Sequence, residues 1–266
     1  MNYEMHDRVA VVTGGTSGIG LATVKLFLQE GAAVALCGRD AIKLNKVLQE
    51  LAITSRANRI FGMVCDVTQK EAVLAFKEGV EKQFGQTDFL VNNAGKGRTS
   101  TIANTSDDAW REELDLKFFS LLHPTKAFLP LLAKSSCGSV VCVNALLARR
   151  PEPHMAATSA ARAGALNLVK SMAGEFAPQG VRVNSILIGL VESEQWERRF
   201  RAANAENPTV TREHWFGHLA REREIPLRRF GRPEEAAQVI LFLASSVSSY
   251  LTGVSIEVAG GQNRYV

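Results

Sequence analysis

The stretch RVAVVTGGTSGIG, residues 8–20, decides the fold because it joins an apolar strand to a helix through a glycine-rich turn. Gly14 permits the tight turn, and Gly18 and Gly20 let the backbone and the helix approach a pyrophosphate group. The amino terminus of the helix that follows favours negative charge at that position. In strand–turn–helix order, these glycines are a strong signal for dinucleotide binding.

Short apolar runs alternate with amphipathic segments along the rest of the chain. The runs predict strands at 8–14, 32–38, 59–67, 87–95, 138–145, 181–189 and 253–261, and the segments predict helices at 18–30, 40–52, 69–84, 107–133, 156–177 and 233–245. Nearly continuous apolar runs are typical of strands buried on both faces of a parallel sheet. We therefore expect an α/β chain with a doubly wound parallel sheet (a Rossmann fold) and one domain over residues 1–266.

Residues 192–229 interrupt this alternation, since they are dense in charge and carry Trp196, Trp215 and Phe216. A charged insertion that also holds large aromatic side chains favours a helical lid over a ligand cleft. An ordinary solvated insertion is the alternative.

Composition excludes several classes of protein. The chain is 46% hydrophobic and 22% charged, with a formal net charge of +4, as expected for a globular protein with a real core. Its cations are scattered, which argues against nucleic-acid binding, and no apolar stretch approaches the roughly 18 residues of a membrane span. The start of the chain lacks the pattern of a signal peptide. The four cysteines, Cys37, Cys65, Cys137 and Cys142, form no C-x-x-C pair and have no metal-ligand spacing. We therefore expect a cytoplasmic protein.

A metal site is not expected. His214 and His218 stand four residues apart, but Trp215 stands where a metalloprotease would need a glutamate, and no third ligand is evident.

Taken together, the motifs resemble those of the short-chain dehydrogenase/reductase family over nearly the whole chain. TGGTSGIG (13–20) is similar to its cofactor turn, CDVT (65–68) to its adenine segment and NNAG (92–95) to its fourth-strand motif. The resemblance implies hydride transfer between a nicotinamide and a carbonyl or alcohol. It also implies these cofactor contacts: Gly14, Thr16, Ser17, Gly18, Ile19, Gly20, Arg39, Asp66, Val67, Asn93, Ala94, Gly95, Arg162, Gly189 and Ser193.

The end of the second strand predicts NADP in preference to NAD. Gly38 falls where NAD-preferring members place an acid for the ribose 2′-hydroxyl, and Arg39 follows it. A guanidinium can grip a 2′-phosphate through paired hydrogen bonds, whereas a carboxylate would repel it. Ser17 is a candidate for a second contact to the 2′-phosphate. The alternative is that Arg39 is only solvated and binds no phosphate.

All four catalytic positions of the family are substituted. Thr158 falls in the slot of the tyrosine that passes a proton, Arg162 in that of the lysine, Ala145 in that of the serine and Lys117 in that of the asparagine. A threonine hydroxyl is a very weak acid and an arginine does not deprotonate, so ordinary alcohol dehydrogenation should be very slow.

The substitutions add positive charge. Arg162 keeps a cation near the cofactor ribose unless it turns away to pair with an acid, and Lys117 adds a second. Arg149, Arg150 and His154 border the expected substrate pocket, so an anionic small-molecule substrate or ligand fits it. A lysine beside another cation has a lowered pKa, so Lys117 is a candidate general acid or Schiff-base nucleophile.

Purely structural roles are the alternative for these residues. Lys117 could instead form a structural ion pair with Asp115 or Glu113, and His154 could be a surface histidine of a loop. His154 and Glu152 are further candidates to reach the pocket.

Three functions follow: an NADP-dependent oxidoreductase with an atypical site, a cofactor-binding pseudoenzyme, or a lyase or isomerase that uses Lys117. Small residues along 156–177 predict close helix packing, which fits both a homo-oligomer (a dimer or tetramer, as in the family) and packing within the chain.

Overall fold

Within residues 3–55, 57–206 and 208–262, which the computed structural model describes, seven strands pair into one parallel sheet. The strands are β1 (Val9–Thr13), β2 (Ala33–Gly38), β3 (Ile60–Val64), β4 (Phe89–Asn92), β5 (Ser139–Ala145), β6 (Arg182–Ile188) and β7 (Ser255–Val258). Their order is β3-β2-β1-β4-β5-β6-β7. The order reverses between β1 and β4, which pair with Val11 opposite Leu90. In such sheets ligands bind at the carboxyl ends of the strands beside this reversal.

Helices cover both faces of the sheet, so the predicted doubly wound fold is confirmed. They are α1 (Gly18–Gln29), α2 (Ala41–Thr54), α3 (Lys70–Phe84), α4 (Asp107–Leu132), α5 (Ala156–Phe176), α6 (Glu194–Glu206), α7 (Arg212–Glu222) and α8 (Pro233–Ala244). One core lies between the sheet and α3, α4 and α5, with Phe76 and Phe128 at its centre. A second lies against α1, α2 and α8, with Phe27 and Ile240 buried in it.

The interrupting segment folds into α6 and α7, so its predicted helical character is confirmed. A separate aromatic cluster joins these helices, in which Phe216 and Phe230 are buried and Trp196 and Trp215 pack against them. Trp196 contacts Phe230 edge-on with ring centroids 5.1 Å apart. The aromatic residues of this segment therefore pack mainly on one another, and of them Trp196 also lines the cleft described below.

The small residues of α5 serve packing within the chain on one side. Ala161 and Ala165 are buried. A Cβ atom on Gly164 would lie 2.6 Å from the Phe118 ring, so this glycine lets α5 approach α4 closely. Ala160 and Ala163 face solvent on the other side of the helix.

Candidate active site

A cleft of about 540 Å³ opens at the carboxyl ends of the strands where the sheet order reverses. Lys117 lines it, and so do most of the expected cofactor contacts: Gly14, Thr16, Ser17, Gly18, Ile19, Arg39, Asp66, Val67, Asn93, Ala94, Gly95, Arg162, Gly189 and Ser193. Gly20 lies behind the turn, where it packs against backbone. The fold thus brings together residues from loops that are distant in sequence.

The glycine turn leaves room for a group to approach its backbone. Gly14 has a φ of 65°, and Asn93 Nδ2 holds the turn by donating to the carbonyl oxygens of Thr13 (3.0 Å) and Gly14 (3.1 Å). A Cβ on Gly20 would lie 2.2 Å from the Gly14 oxygen, whereas a Cβ on Gly18 would meet nothing within 4 Å. The space beside Gly18, at the amino terminus of α1, fits a phosphate group.

The end of β2 suits a phosphorylated ribose better than a bare one. A Cβ on Gly38 would lie 2.9 Å from Thr16 Cγ2, so Thr16 leaves little room for any side chain at position 38. Arg39 is 64% exposed and its nearest acid, Asp66, is 3.9 Å away. Burial raises the pKa of Asp66, but hydrogen bonds from Thr68 and the Arg39 charge outweigh it and lower the pKa. Arg39 is therefore held only weakly and can meet an anion.

Two cations from different helices meet deeper in the cleft. Lys117, on α4, is 5% exposed, and its Nζ donates to the Lys96 carbonyl oxygen (2.7 Å) and to Glu113 Oε1 (2.6 Å). Burial and the charges of Arg162 and Lys96 lower the pKa of Lys117 to about 8, although Glu113 opposes the change. Arg162, on α5, donates to Asn144 Oδ1 at 3.2 Å.

The Arg162 guanidinium has an unsatisfied hydrogen-bond donor. Its Nε is buried without a hydrogen-bond acceptor. Among the described residues, no carboxylate lies within ion-pair distance of it. Burial lowers the pKa of Arg162 to about 10, while the charge of Glu113 counteracts this, so the group is a cation at neutral pH.

Glu113 connects Lys117 to Thr158. Thr158 is fully buried, and its hydroxyl donates to Glu113 Oε1 at 2.6 Å while accepting from the Arg98 backbone N–H at 3.1 Å. In the sequence Glu113 stands out only as one of two acids that could pair with Lys117, four residues away on one helix face. Its bond to Thr158 has no sequence signal, because 45 positions separate the two residues.

The comparisons with known proteins agree with this architecture. A family model described as enoyl-(acyl carrier protein) reductase matches residues 14–263. The chain is 33% identical over 258 residues to the 3-oxoacyl-[acyl-carrier-protein] reductase FabG of Thermotoga maritima, covering 97% of this chain and 98% of that one. It is 31% identical over 264 residues to the uncharacterized short-chain type dehydrogenase/reductase y4mP of Sinorhizobium fredii, covering 97% and 98%. The chain belongs to the short-chain dehydrogenase/reductase family.

A solved structure in this family is more similar still. It is the NADPH-bound structure of a short chain oxidoreductase from Pseudomonas aeruginosa PAO1, described as containing an atypical catalytic center. The identity is 56%, the TM-score is 0.93, and 98% of each chain is covered.

The remaining predicted residues of this short-chain dehydrogenase/reductase lie outside the lining of the cleft. Ala145 ends β5, and its N–H donates to Asn144. Arg149 pairs with Glu257 at 2.9 Å, and Arg150 donates to the Gln262 carbonyl oxygen at 2.8 Å. His154 contacts Glu152 at 3.1 Å, and Arg223 contacts the same carboxylate at 3.4 Å. None of these three side chains lines the cleft with Lys117 and Arg162, so the place of Arg149, Arg150 and His154 in a substrate pocket stays a prediction.

An ion pair connects α6 to the far wall of the cleft. Lys43, in the first turn of α2, contacts Glu194 at 3.0 Å, and this bond lowers the pKa of Glu194. Trp196, in the first turn of α6, lines the cleft together with Ser193 and Glu192. The start of the segment therefore borders the expected cofactor positions.

Across the described ranges, no group of three or more His, Cys, Asp and Glu side chains could hold a metal ion. In the same part of the chain, none of the helices is both long and apolar enough to pass through a bilayer.

Proposed function

We propose that this protein binds NADPH and reduces a carbonyl compound that carries an anionic group, or catalyses the reverse oxidation. The open turn at Gly18, the weakly held Arg39 and the absence of an acid at Gly38 fit the phosphates of NADPH. The NADPH-bound relative at 56% identity supports the same choice. When bound, NADPH supplies a hydride.

One observation carries the anionic substrate: the positive charge in the deep cleft is not compensated. The positive charges of Arg162 and Lys96 and the negative charge of Glu113 all influence Lys117. Lys96 is exposed to solvent, and Lys117 and Glu113 compensate each other, so the uncompensated buried charge is that of Arg162, which has no carboxylate within ion-pair distance among the described residues. In a partly buried cleft, such an excess raises the local concentration of anions and favours their binding.

Matched substrates test this proposal. NADPH oxidation is followed with 2-keto acids and with their methyl esters, which differ in one charge. We expect kcat/KM to favour the acids. The Arg162→Met variant should lose about 1.5–3 kcal/mol of a charge-assisted interaction, roughly ten- to hundredfold in kcat/KM for the acids, and much less for the esters. The exposed Arg111→Met is the control, and NADPH affinity is measured separately by fluorescence.

Equal kcat/KM for acid and ester would contradict the anionic substrate. Tight NADPH binding with no turnover of any carbonyl would favour a pseudoenzyme. The Thr158 hydroxyl favours that second candidate, because it is bonded to Glu113 and does not line the cleft.

We also propose that α6 and α7 act as a lid over bound substrate and that copies of the chain associate. Leu114 and Phe119 on α4 are 38% and 39% exposed, which leaves apolar surface for a partner copy. Light scattering after size exclusion measures the oligomeric state; a monomer at micromolar concentration would contradict the association.

A further inference from the structure

We propose that Lys117 is the proton donor of this site and that Glu113 is a positioning residue, which holds Lys117 Nζ at the cleft and holds the Thr158 hydroxyl away from it. This inference rests on the proposed reduction of a carbonyl. It assigns the proton to a different group from the one that occupies the family's tyrosine position.

The geometry centres on one oxygen atom. Glu113 Oε1 accepts from both Lys117 Nζ and Thr158 Oγ1, each at 2.6 Å. The three side chains are 2%, 5% and 0% exposed, in the order Glu113, Lys117, Thr158, so water does not compete effectively for these bonds. A buried carboxylate with two short donors fixes the positions of both.

Thr158 is unsuited to proton transfer in this arrangement. Its hydroxyl donates to Glu113 Oε1 at 2.6 Å, with the Arg98 carbonyl oxygen as a second acceptor at 3.2 Å, and its oxygen accepts from the Arg98 N–H. It does not line the cleft, and an aliphatic hydroxyl is a very weak acid.

Lys117 has both a free donor and access. An ammonium has three N–H groups, and acceptors among the described residues take two of them, on Lys96 and Glu113. The side chain lines the cleft, so the third is available to a substrate oxygen. The charged groups that act on it are Glu113 on its own helix, Arg162 on α5 and Lys96 in the loop after β4. Burial first, then the two cations, lower the pKa of Lys117 to about 8, which suits a general acid at neutral pH.

In the proposed step a proton moves from Lys117 to the substrate oxygen. One N–H bond of Lys117 breaks and an O–H bond forms at the carbonyl oxygen, while the carbonyl carbon accepts the hydride that reduces it. Lys117 is left as a neutral amine and regains a proton from water. Glu113 remains a carboxylate throughout.

Three variants separate the roles in steady-state NADPH oxidation. Lys117→Arg keeps a cation beside Glu113 but cannot release a proton, so we expect kcat to fall about 10²–10⁴-fold. Thr158→Val should lower kcat by less than about tenfold. Glu113→Gln removes the group that raises the Lys117 pKa, so the loss of rate at high pH should begin at a lower pH than in wild type. Lys126→Met, exposed on the same helix, is the matched control and should leave the rate unchanged.

A second readout does not depend on turnover. In ligand-free protein labelled with ¹³C at the lysine ε-carbons, one lysine should titrate near pH 8; its signal should be absent in Lys117→Arg and should titrate at lower pH in Glu113→Gln. Turnover with an unaffected kcat in Lys117→Arg overturns the inference and leaves the proposed function intact. A wild type without turnover would contradict the proposed function, and the titration would then still test the interaction between Glu113 and Lys117. A lysine signal that titrates near pH 10.5 in wild type overturns the inference.

Discussion

The buried pair of Glu113 and Lys117 makes a sharp energetic prediction. The two side chains are 2% and 5% exposed and 2.6 Å apart. Removing one partner of such a pair leaves an uncompensated buried charge, which costs about 3–5 kcal/mol. We expect Lys117→Met to lose that much unfolding free energy at pH 7. Glu113→Leu/Lys117→Met, which replaces both charges with apolar groups, should be as stable as wild type or more stable by about 1–4 kcal/mol.

The pH dependence has a definite sign. Burial lowers the pKa of Lys117 from 10.5 to about 8, so folding penalises its charged form. Below pH 8 the penalty is fully present, and between pH 8 and 10.5 the unfolded chain binds the proton more strongly than the folded one. The unfolding free energy of wild type should therefore rise over this range relative to the double variant, by about 3 kcal/mol.

Urea denaturation, followed by tryptophan fluorescence and circular dichroism, measures the unfolding free energies of wild type, Lys117→Met, Glu113→Leu and the double variant. Lys126→Met serves again as the control for the loss of a lysine. A Lys117→Met variant within about 1 kcal/mol of wild type at pH 7 would refute the predicted cost of the unpaired charge. So would a double variant that is no more stable than the less stable of the two single variants.

Three other predictions concern the cofactor side of the cleft. Gly20→Ala places a Cβ 2.2 Å from the Gly14 oxygen, so NADPH affinity in a fluorescence titration should fall at least about tenfold; an unchanged affinity would show that the turn does not hold phosphate. Arg39→Gln should weaken NADPH binding by about ten- to hundredfold and NADH binding little, and equal losses for both would contradict contact with the 2′-phosphate. Lys43→Met removes the ion pair with Glu194, so trypsin should cleave within 194–206 faster than in wild type; an identical cleavage rate would mean that this pair does not restrain α6.

Most of the fold could be predicted because it depends on patterns between near neighbours in the chain. Helices were predicted at 107–133 and 40–52 and observed at Asp107–Leu132 and Ala41–Thr54. Strands were predicted too long at their ends: 87–95 contains only Phe89–Asn92 as strand. The residues beyond it, Asn93 to Gly95, leave the ladder to line the cleft, and apolarity alone does not distinguish a strand from the small residues of a loop that follows it.

The sequence by itself determined that this chain folds as a parallel α/β sheet with a glycine-rich turn, and it predicts that a threonine and an arginine stand at the family's tyrosine and lysine positions. Only the tertiary structure decided which hydrogen-bond and ion-pair partners these residues have. In it Glu113 accepts hydrogen bonds from both Lys117 and Thr158. Arg162 has no carboxylate within ion-pair distance among the described residues, and His154 contacts Glu152. The reason is physical: residue type and spacing set local backbone geometry, whereas a hydrogen bond between two helices depends on distances of a few tenths of an ångström that the packing of the whole sheet establishes.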